Sequence, residues 1–188
     1  MYDGKSERKP KQKKTAVEMG RMTLEEYRKA KKVPLVVVLD NVRSQHNIGA
    51  VFRTADAFCV QKVVLCGISA CPPNQEIHKT ALGAEESVDW AYYASTEEAV
   101  AALKREGYRV YSVEQVHDSI FLPEMSKERM GEDPVAVVLG HEVFGVSQRV
   151  VDMSDGCIEI PQYGTKHSLN VSVAAGIVIY SIVNELMG

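Results

Sequence analysis

Three short stretches concentrate the side chains able to do chemistry in this 188-residue chain. In "DNVRSQHNIGAVFRTAD", residues 40–56, Arg43, Gln45, His46 and Asn47 fall within five residues, more polar groups than a turn from a strand into a helix needs, and Arg53 follows. A guanidinium presents a planar fork that binds phosphate or a developing oxyanion. In "VLGHEVFGVS", residues 138–147, Gly140 ends an apolar run and is followed by His141, Glu142 and a second glycine, Gly145. Glycine at the carboxyl end of a strand lets a ligand approach the backbone closely. In "IPQYGTKHSLNVSVAAGI", residues 160–177, a loop containing Pro161 and Gly164 leads to Ser168 and Asn170 at the opening of an apolar helix. Read by helix rules alone, Asn47 is a cap, Arg53 a surface residue, and Ser168 the cap of a helix packed through Val171, Ala174, Ala175, Val178 and Ile179. Asn170 has no place in that pattern.

Other chemistries fit poorly. No strand is followed by G-x-G-x-x-G, and the Lys-Ser/Thr of a phosphate-binding loop is missing, which disfavours dinucleotide and nucleoside-triphosphate binding on a flavodoxin-like order. Cys59, Cys66, Cys71 and Cys157 have no C-x-x-C spacing and no histidine at ligand distance, so no metal site is expected and reduced thiols are. His46, His141 and His167 have the right unperturbed pKa, near 6.5, for a general base.

The three stretches need a frame that brings strand ends together. "LVVVLD" (35–40) is a continuous β-branched run of the kind buried on both faces of a sheet, and residues 47–58 show helical spacing in Ile48, Val51, Phe52 and Ala55. Further strands are expected over 62–66, 88–93, 109–114, 135–140 and 156–160, with helices over 74–83 and 96–107, the latter capped by Thr96 and stopped by Gly107. This alternation predicts an α/β fold, a mostly parallel sheet with helices on both faces. Ligands in such sheets lie outside the carboxyl ends of the strands, which directs attention to residues 40–49, 66–76, 114–124, 140–147 and 160–168.

Composition bounds the class. With 45% hydrophobic and 25% charged residues the chain reads as one soluble domain, and its longest apolar stretch, 13 residues from Val171 to Val183, is too short to span a membrane. No apolar segment follows the positive N-terminus, which predicts a cytoplasmic protein without a secretory signal. The formal net charge of −3 hides an asymmetry: residues 1–32 carry 11 Lys and Arg against 5 Asp and Glu, and the rest carry 11 against 20. The chain divides accordingly into a basic extension over 1–32, disordered to about residue 16 and then a short helix capped at Thr23, and a globular part over 33–188. A basic arm on an acidic body serves to hold a polyanion by counterion release, or is a solvated tail.

Taken together and in order, "NIGAVFRTADAF", "VVLGHEVFGVS" and "IPQYGTKHSLNVSVAAGIVIYSI" resemble the three motifs of the SpoU (TrmH-like) family of RNA ribose 2′-O-methyltransferases, over about four fifths of the chain from Leu35 onward. The resemblance implies an α/β fold with a deep C-terminal trefoil knot, S-adenosylmethionine bound in the knot, and a homodimer with the active site near its interface. General topology rules make a knot rare. Carried over by position, Arg53 matches the family's catalytic arginine, Asn47 the motif-one asparagine, Glu142 the motif-two glutamate, and Ser168 and Asn170 the serine and asparagine of motif three. Backbone at Leu139, Gly140, Ile160 and Leu169 is implied to hold the cofactor.

The chain departs from the pattern at three places. His141 stands where a small residue or asparagine is common, Gln162 stands where methionine is common, and Lys166 with His167 makes the third loop basic. Arg43, His46, Lys166 and His167 are accordingly expected at the RNA rim, and Glu142 is expected to orient Arg53 or another polar group. The function implied is S-adenosylmethionine-dependent 2′-O-methylation of a ribose in tRNA or rRNA. The alternative is a methylation-incompetent RNA-binding or ribosome-assembly protein on the same fold.

Overall fold

The computed structural model describes residues 12–15 and 17–188. The tail expected to be disordered lies, for residues 1–11 and 16, outside the described residues. Helix α1 (Leu24–Lys29) opens with the expected capping box: Thr23 Oγ1 accepts the Glu26 N–H, and the Glu26 carboxylate accepts the Thr23 N–H at 2.7 Å. The helix is shorter than its sequence pattern, and Val33 and Pro34 belong to the following strand. Tyr27 anchors α1 by burying its ring in the core of the globular part.

The order thereafter is β1 (Val33–Asp40), α2 (Gln45–Ala57), β2 (Val60–Cys66), α3 (Gln75–Ala81), α4 (Ala84–Ser87), β3 (Trp90–Tyr93), α5 (Thr96–Arg105) and β4 (Arg109–Val113). Then come β5 (Ile120–Phe121), α6 (Lys127–Met130), β6 (Val135–Leu139), α7 (Gln148–Met153), β7 (Gly156–Glu159) and α8 (Val171–Met187). The strands form one sheet in the order β3-β2-β1-β6-β4-β7-β5, and every pairing is parallel.

Strand alternation divides the core into two layers. Leu35, Val37 and Leu39 point to one face, where they meet Ile48, Val51 and Phe52 of α2, Ile77 of α3, and Val178, Ile179 and Ile182 of α8. Val36 and Val38 point to the other, against Ala99, Val100 and Leu103 of α5 and Val150 of α7. A central strand buried on both faces must be apolar throughout, which is why β1 shows no polar alternation. Its last residue, Asp40, is buried all the same. One carboxylate oxygen accepts the Thr96 hydroxyl at 2.5 Å and the Asn41 amide at 2.8 Å, and the other accepts the Ser147 N–H at 3.2 Å. Asp40 thereby ties the starts of α5 and α7 to the carboxyl end of the sheet.

Several local expectations are corrected. Ser95, not Thr96, caps α5, because Ser95 Oγ accepts the Glu98 N–H while the Thr96 hydroxyl is committed to Asp40. Ser44, not Asn47, caps α2, which begins two residues before Asn47. Asn170, not Ser168, caps α8, its Oδ1 accepting the Ser172 N–H at 2.9 Å. Strand β5 and helix α7 have no counterpart in the expected elements. Gly107 stops α5 as expected, with φ of +87° just beyond the helix. All four cysteines are free thiols, and burial pushes that of Cys66 up to about 12.

Candidate active site

A cleft of about 720 Å³ opens at the carboxyl ends of β4, β6 and β7. That is the size of a pocket for a cofactor-sized molecule and the position expected for a ligand in a parallel sheet. Residues 113–116, 139–146, 158–160 and 167–171 supply most of its wall. Leu139, Gly140, Glu142, Ile160, His167, Ser168, Leu169 and Asn170 all line it, so the second and third motifs meet in one place. Arg43, His46, Asn47, Arg53 and Lys166 lie outside this lining.

The loop after β6 is tightly folded. His141 and Gly145 exchange two backbone hydrogen bonds, of 3.0 and 2.8 Å, and His141 Nδ1 accepts the Val143 N–H at 3.0 Å. Through this contact the His141 side chain turns back on its own loop. Gly140 permits the fold: a Cβ at that position would lie 2.0 Å from the Gly145 carbonyl carbon and 2.2 Å from the Val146 nitrogen. Backbone thus passes backbone where any side chain would stand.

Glu142 reaches from this loop to the start of α2. Its carboxylate accepts the Ser44 N–H at 2.9 Å, the Arg43 N–H at 3.1 Å and the Asn47 side-chain amide at 3.3 Å. Burial pushes the Glu142 carboxyl up, but the Ser44 and Arg43 N–H groups and the Asn47 amide outweigh that and hold it below the ordinary carboxylate range. Of the partners expected for Glu142, Arg53 or another polar group, the second is found: it orients Asn47 and fixes the N-terminus of α2. An ionised carboxylate held low by three accepted hydrogen bonds is also a weak general base at neutral pH.

The network continues into the third motif. Asn170 Nδ2 donates to Asn47 Oδ1 at 3.2 Å, and the Ser172 hydroxyl donates to Asn170 Oδ1 at 2.7 Å. Glu142, Asn47, Asn170 and Ser172 form one chain that links the loop after β6 to the first turn of α2 and the start of α8. Ser168 lines the cleft and is exposed.

Arg53 stands on α2 with its side chain exposed and without a hydrogen bond or ion pair among the described residues. His46 is paired with Glu76 at 3.1 Å, and Glu76 also holds Lys79 at 2.6 Å. Arg43 and Lys166 are exposed, and the His167 carbonyl accepts the Gln115 side-chain amide at 3.2 Å.

Sequence reasoning points to the strand-end segments 40–49 and 114–124 but gives no role to Asp40, which lies outside the cleft lining, or to Glu114 and Gln115, which line it. Asp40 is visible in sequence only as a polar residue ending an apolar strand. Glu114 and Gln115 follow β4 outside all three motifs, and the one signal for them is their position just beyond a strand's carboxyl end. The cleft holds three carboxylates, of Glu114, Glu142 and Glu159, while no Lys or Arg among the described residues lines it.

Residues 34–180 match the SpoU rRNA Methylase family. The chain is 32% identical over 163 residues to the tRNA (guanosine(18)-2′-O)-methyltransferase of Thermus thermophilus, covering 87% of this chain and 81% of that one. It is likewise 32% identical over 154 residues to the 23S rRNA (guanosine-2′-O-)-methyltransferase RlmB of Vibrio parahaemolyticus, covering 81% of this chain and 60% of that one. Among solved structures, the AdoMet-bound rRNA methyltransferase from Sinorhizobium meliloti superposes with a TM-score of 0.76 at 25% identity, over 86% of this chain and 61% of that one. With its second and third motifs meeting in one cleft, the first tied to both through Asn47, and the match spanning nearly the whole globular part, this chain belongs to the SpoU rRNA Methylase family.

Proposed function

We propose that this protein binds S-adenosylmethionine in the cleft and methylates a ribose 2′-hydroxyl of tRNA or rRNA. The observation that carries the reading is the convergence of Gly140, Glu142, Ile160, Ser168, Leu169 and Asn170 on a cleft that the described residues line with three carboxylates and no Lys or Arg. An acidic lining suits a ligand that carries a sulfonium and an ammonium against a single carboxylate. The backbone cradle at Gly140 and Gly145 suits recognition through main-chain groups, with Leu139, Gly140, Ile160 and Leu169 holding the cofactor. The relatives support the same reading, since they are named as tRNA and rRNA 2′-O-methyltransferases and one neighbouring structure contains AdoMet. The methylation-incompetent alternative finds no support among them.

When bound, S-adenosylmethionine supplies an electrophilic methyl group. The protein must then hold the 2′-oxygen in line and manage its proton, and correct positioning alone can supply about 7 to 11 kcal/mol. Arg53 is a poor base: bringing a guanidinium of pKa above about 12 to neutrality costs roughly 7 kcal/mol. In this reading Arg53 binds the neighbouring phosphate and the developing alkoxide, and the phosphate or water takes the proton. Asn47 and Asn170 fix the ribose side of the site, with Glu142 holding Asn47. Arg43, His46, Lys166 and His167 contact the RNA rim.

Arg53 lies outside the cleft of its own chain, which favours a homodimer in which another copy completes the site. Val173, Ile177 and Tyr180 are 50, 39 and 57% exposed and recur on one face of α8, an apolar stripe on a helix that packs beside α2. A second copy seated on this stripe meets the layer that carries Arg53. The trefoil knot is part of the same reading: β6 inserts between β1 and β4, and the chain returns after β7 to pack α8 on α2.

The basic extension over 1–32 contacts RNA beside the acidic globular part over 33–188. Deleting residues 1–20 is expected to weaken RNA binding and lower its salt dependence without changing cofactor affinity; an unchanged salt slope refutes the arm's role.

Titration calorimetry with S-adenosylmethionine, followed by mapping of 2′-O-methyl groups formed on tRNA and rRNA, tests the main reading. Heat of binding and a new 2′-O-methyl are expected. Binding to RNA without cofactor heat supports the incompetent alternative instead.

A further inference from the structure

The three motifs follow β1, β6 and β7, yet the cleft has another wall, residues 113–116, where the chain leaves β4. Because β4 lies between β6 and β7 in the sheet, its outgoing turn runs between the two loops that would embrace the cofactor. Two consecutive residues there hold one loop each. Glu114 Oε2 accepts the Val146 N–H at 3.0 Å, and Oε1 accepts the Gln115 N–H at 2.9 Å. The Gln115 side-chain amide donates to the His167 carbonyl at 3.2 Å.

Glu114 also occupies space that Gly145 leaves open. A Cβ on Gly145 would fall 2.1 Å from Glu114 Oε2, and the φ of +65° at Gly145 is one that a side chain disfavours. The glycine therefore does two things at once: it makes the turn and it seats the carboxylate.

We propose that Glu114 and Gln115 form a clasp that fixes the spacing of the two cofactor loops, and that they are positioning residues for S-adenosylmethionine outside the family motifs. This rests on the cofactor reading above and deepens it. The loops leave different strands and share few bonds, so without the clasp their spacing is an equilibrium that binding must select, and affinity falls by the fraction lost. Neither residue is required to touch the transferred methyl group.

Calorimetry with S-adenosylmethionine on the full chain tests the clasp. Losing a hydrogen bond to a charged acceptor is expected to raise the dissociation constant of Glu114→Ala about tenfold. Glu114→Gln keeps a carbonyl acceptor for Val146 but turns its NH2 toward the Gln115 N–H, so it is expected to lose about threefold, less than Glu114→Ala. Gln115→Ala is expected to fall between them. Gly145→Ala should displace the carboxylate and imitate Glu114→Ala, and the two changes together should cost less than the product of their separate effects. KM for cofactor should rise by a larger factor than kcat falls. Wild-type affinity in Glu114→Ala overturns the clasp alone. Equal losses in Gln and Ala variants overturn it in favour of charge. A wild-type chain that binds no S-adenosylmethionine overturns the cofactor reading itself.

Discussion

Asn170 joins α8 to Asn47 of α2 across 123 positions of sequence, donating its amide to Asn47 Oδ1 at 3.2 Å. Both ends of the Asn170 side chain are used. Its oxygen must face Ser172 to cap α8, which leaves the nitrogen for Asn47. Asn47 in turn must offer its own amide to Glu142, an acceptor only, so its oxygen faces Asn170. The direction of every bond in the chain follows from the helix end and the carboxylate that terminate it.

That polarity makes Asn170→Asp informative. Aspartate caps a helix as well as asparagine, so the melting temperature should change little. At Asn47 it places acceptor against acceptor, and turning the Asn47 amide moves the same conflict to Glu142. Turnover in a methyl-transfer assay is expected to fall at least about tenfold, the size of one lost site hydrogen bond. Asn170→Ala removes the cap as well and should lower stability by about 1 kcal/mol, a shift of roughly 2 to 4 °C.

Glu142→Gln tests the carboxylate at the α2 N-terminus through pH. The folded carboxyl sits below its ordinary value of 4.5 despite burial, because the Ser44 and Arg43 N–H groups and the Asn47 amide hold it ionised. A depressed folded pKa contributes stability above the unfolded value and loses it as pH falls through the folded one. Melting temperatures should therefore separate wild type from Glu142→Gln at neutral pH and converge in acid below about 4.5. The carboxylate is exposed enough for solvent to screen it, so the neutral-pH difference is expected to stay under about 1 kcal/mol. A separation that persists undiminished in acid contradicts the linkage.

Much of the fold and part of the site are legible in the sequence, for identifiable reasons. β1 and α2 are visible because Leu35 to Leu39 and Ile48, Val51, Phe52 and Ala55 carry unambiguous periodicities. β5, two residues long, has no room to show a period. Cap assignments fail where a second demand acts: Thr96 has the type and place of a cap, but its hydroxyl serves Asp40, a partner 56 residues away that no local rule sees. Glu142 is recognisable as a site residue by its place in the motif, whereas its partner is not, since contact with Ser44 depends on β1 and β6 being sheet neighbours. Glu114 escapes for the same reason, as nothing near it in sequence resembles the loop it holds.

Arg53→Lys separates two ideas of what the arginine does. If the planar fork spans phosphate and alkoxide, a lysine supplies the charge without the geometry, and turnover should drop by roughly one to two orders of magnitude. Cofactor affinity should be little changed, because in this reading Arg53 binds the RNA phosphate and the developing alkoxide rather than the cofactor. Near wild-type turnover means that a point charge suffices and the fork is dispensable.

Two glycines give the sharpest test of the backbone cradle. At Gly140 a Cβ would lie within 2.3 Å of the Gly145 carbonyl carbon, the Gly145 oxygen and the Val146 nitrogen, all main-chain atoms that no rotamer change can move aside. Gly140→Ala must displace the 141–145 turn from its bridge, at an expected cost of about 1 to 3 kcal/mol in stability. The displacement falls on the wall proposed to hold the cofactor, so calorimetric binding of S-adenosylmethionine should be lost. At Gly164, in the loop before α8, an added Cβ would meet nothing within 4 Å among the described residues, and φ is not positive. Gly164→Ala should leave cofactor binding within error of wild type and raise stability by up to about 1 kcal/mol, since it restricts the unfolded chain without meeting a folded neighbour. Binding retained by Gly140→Ala refutes the cradle, whatever the melting temperature does.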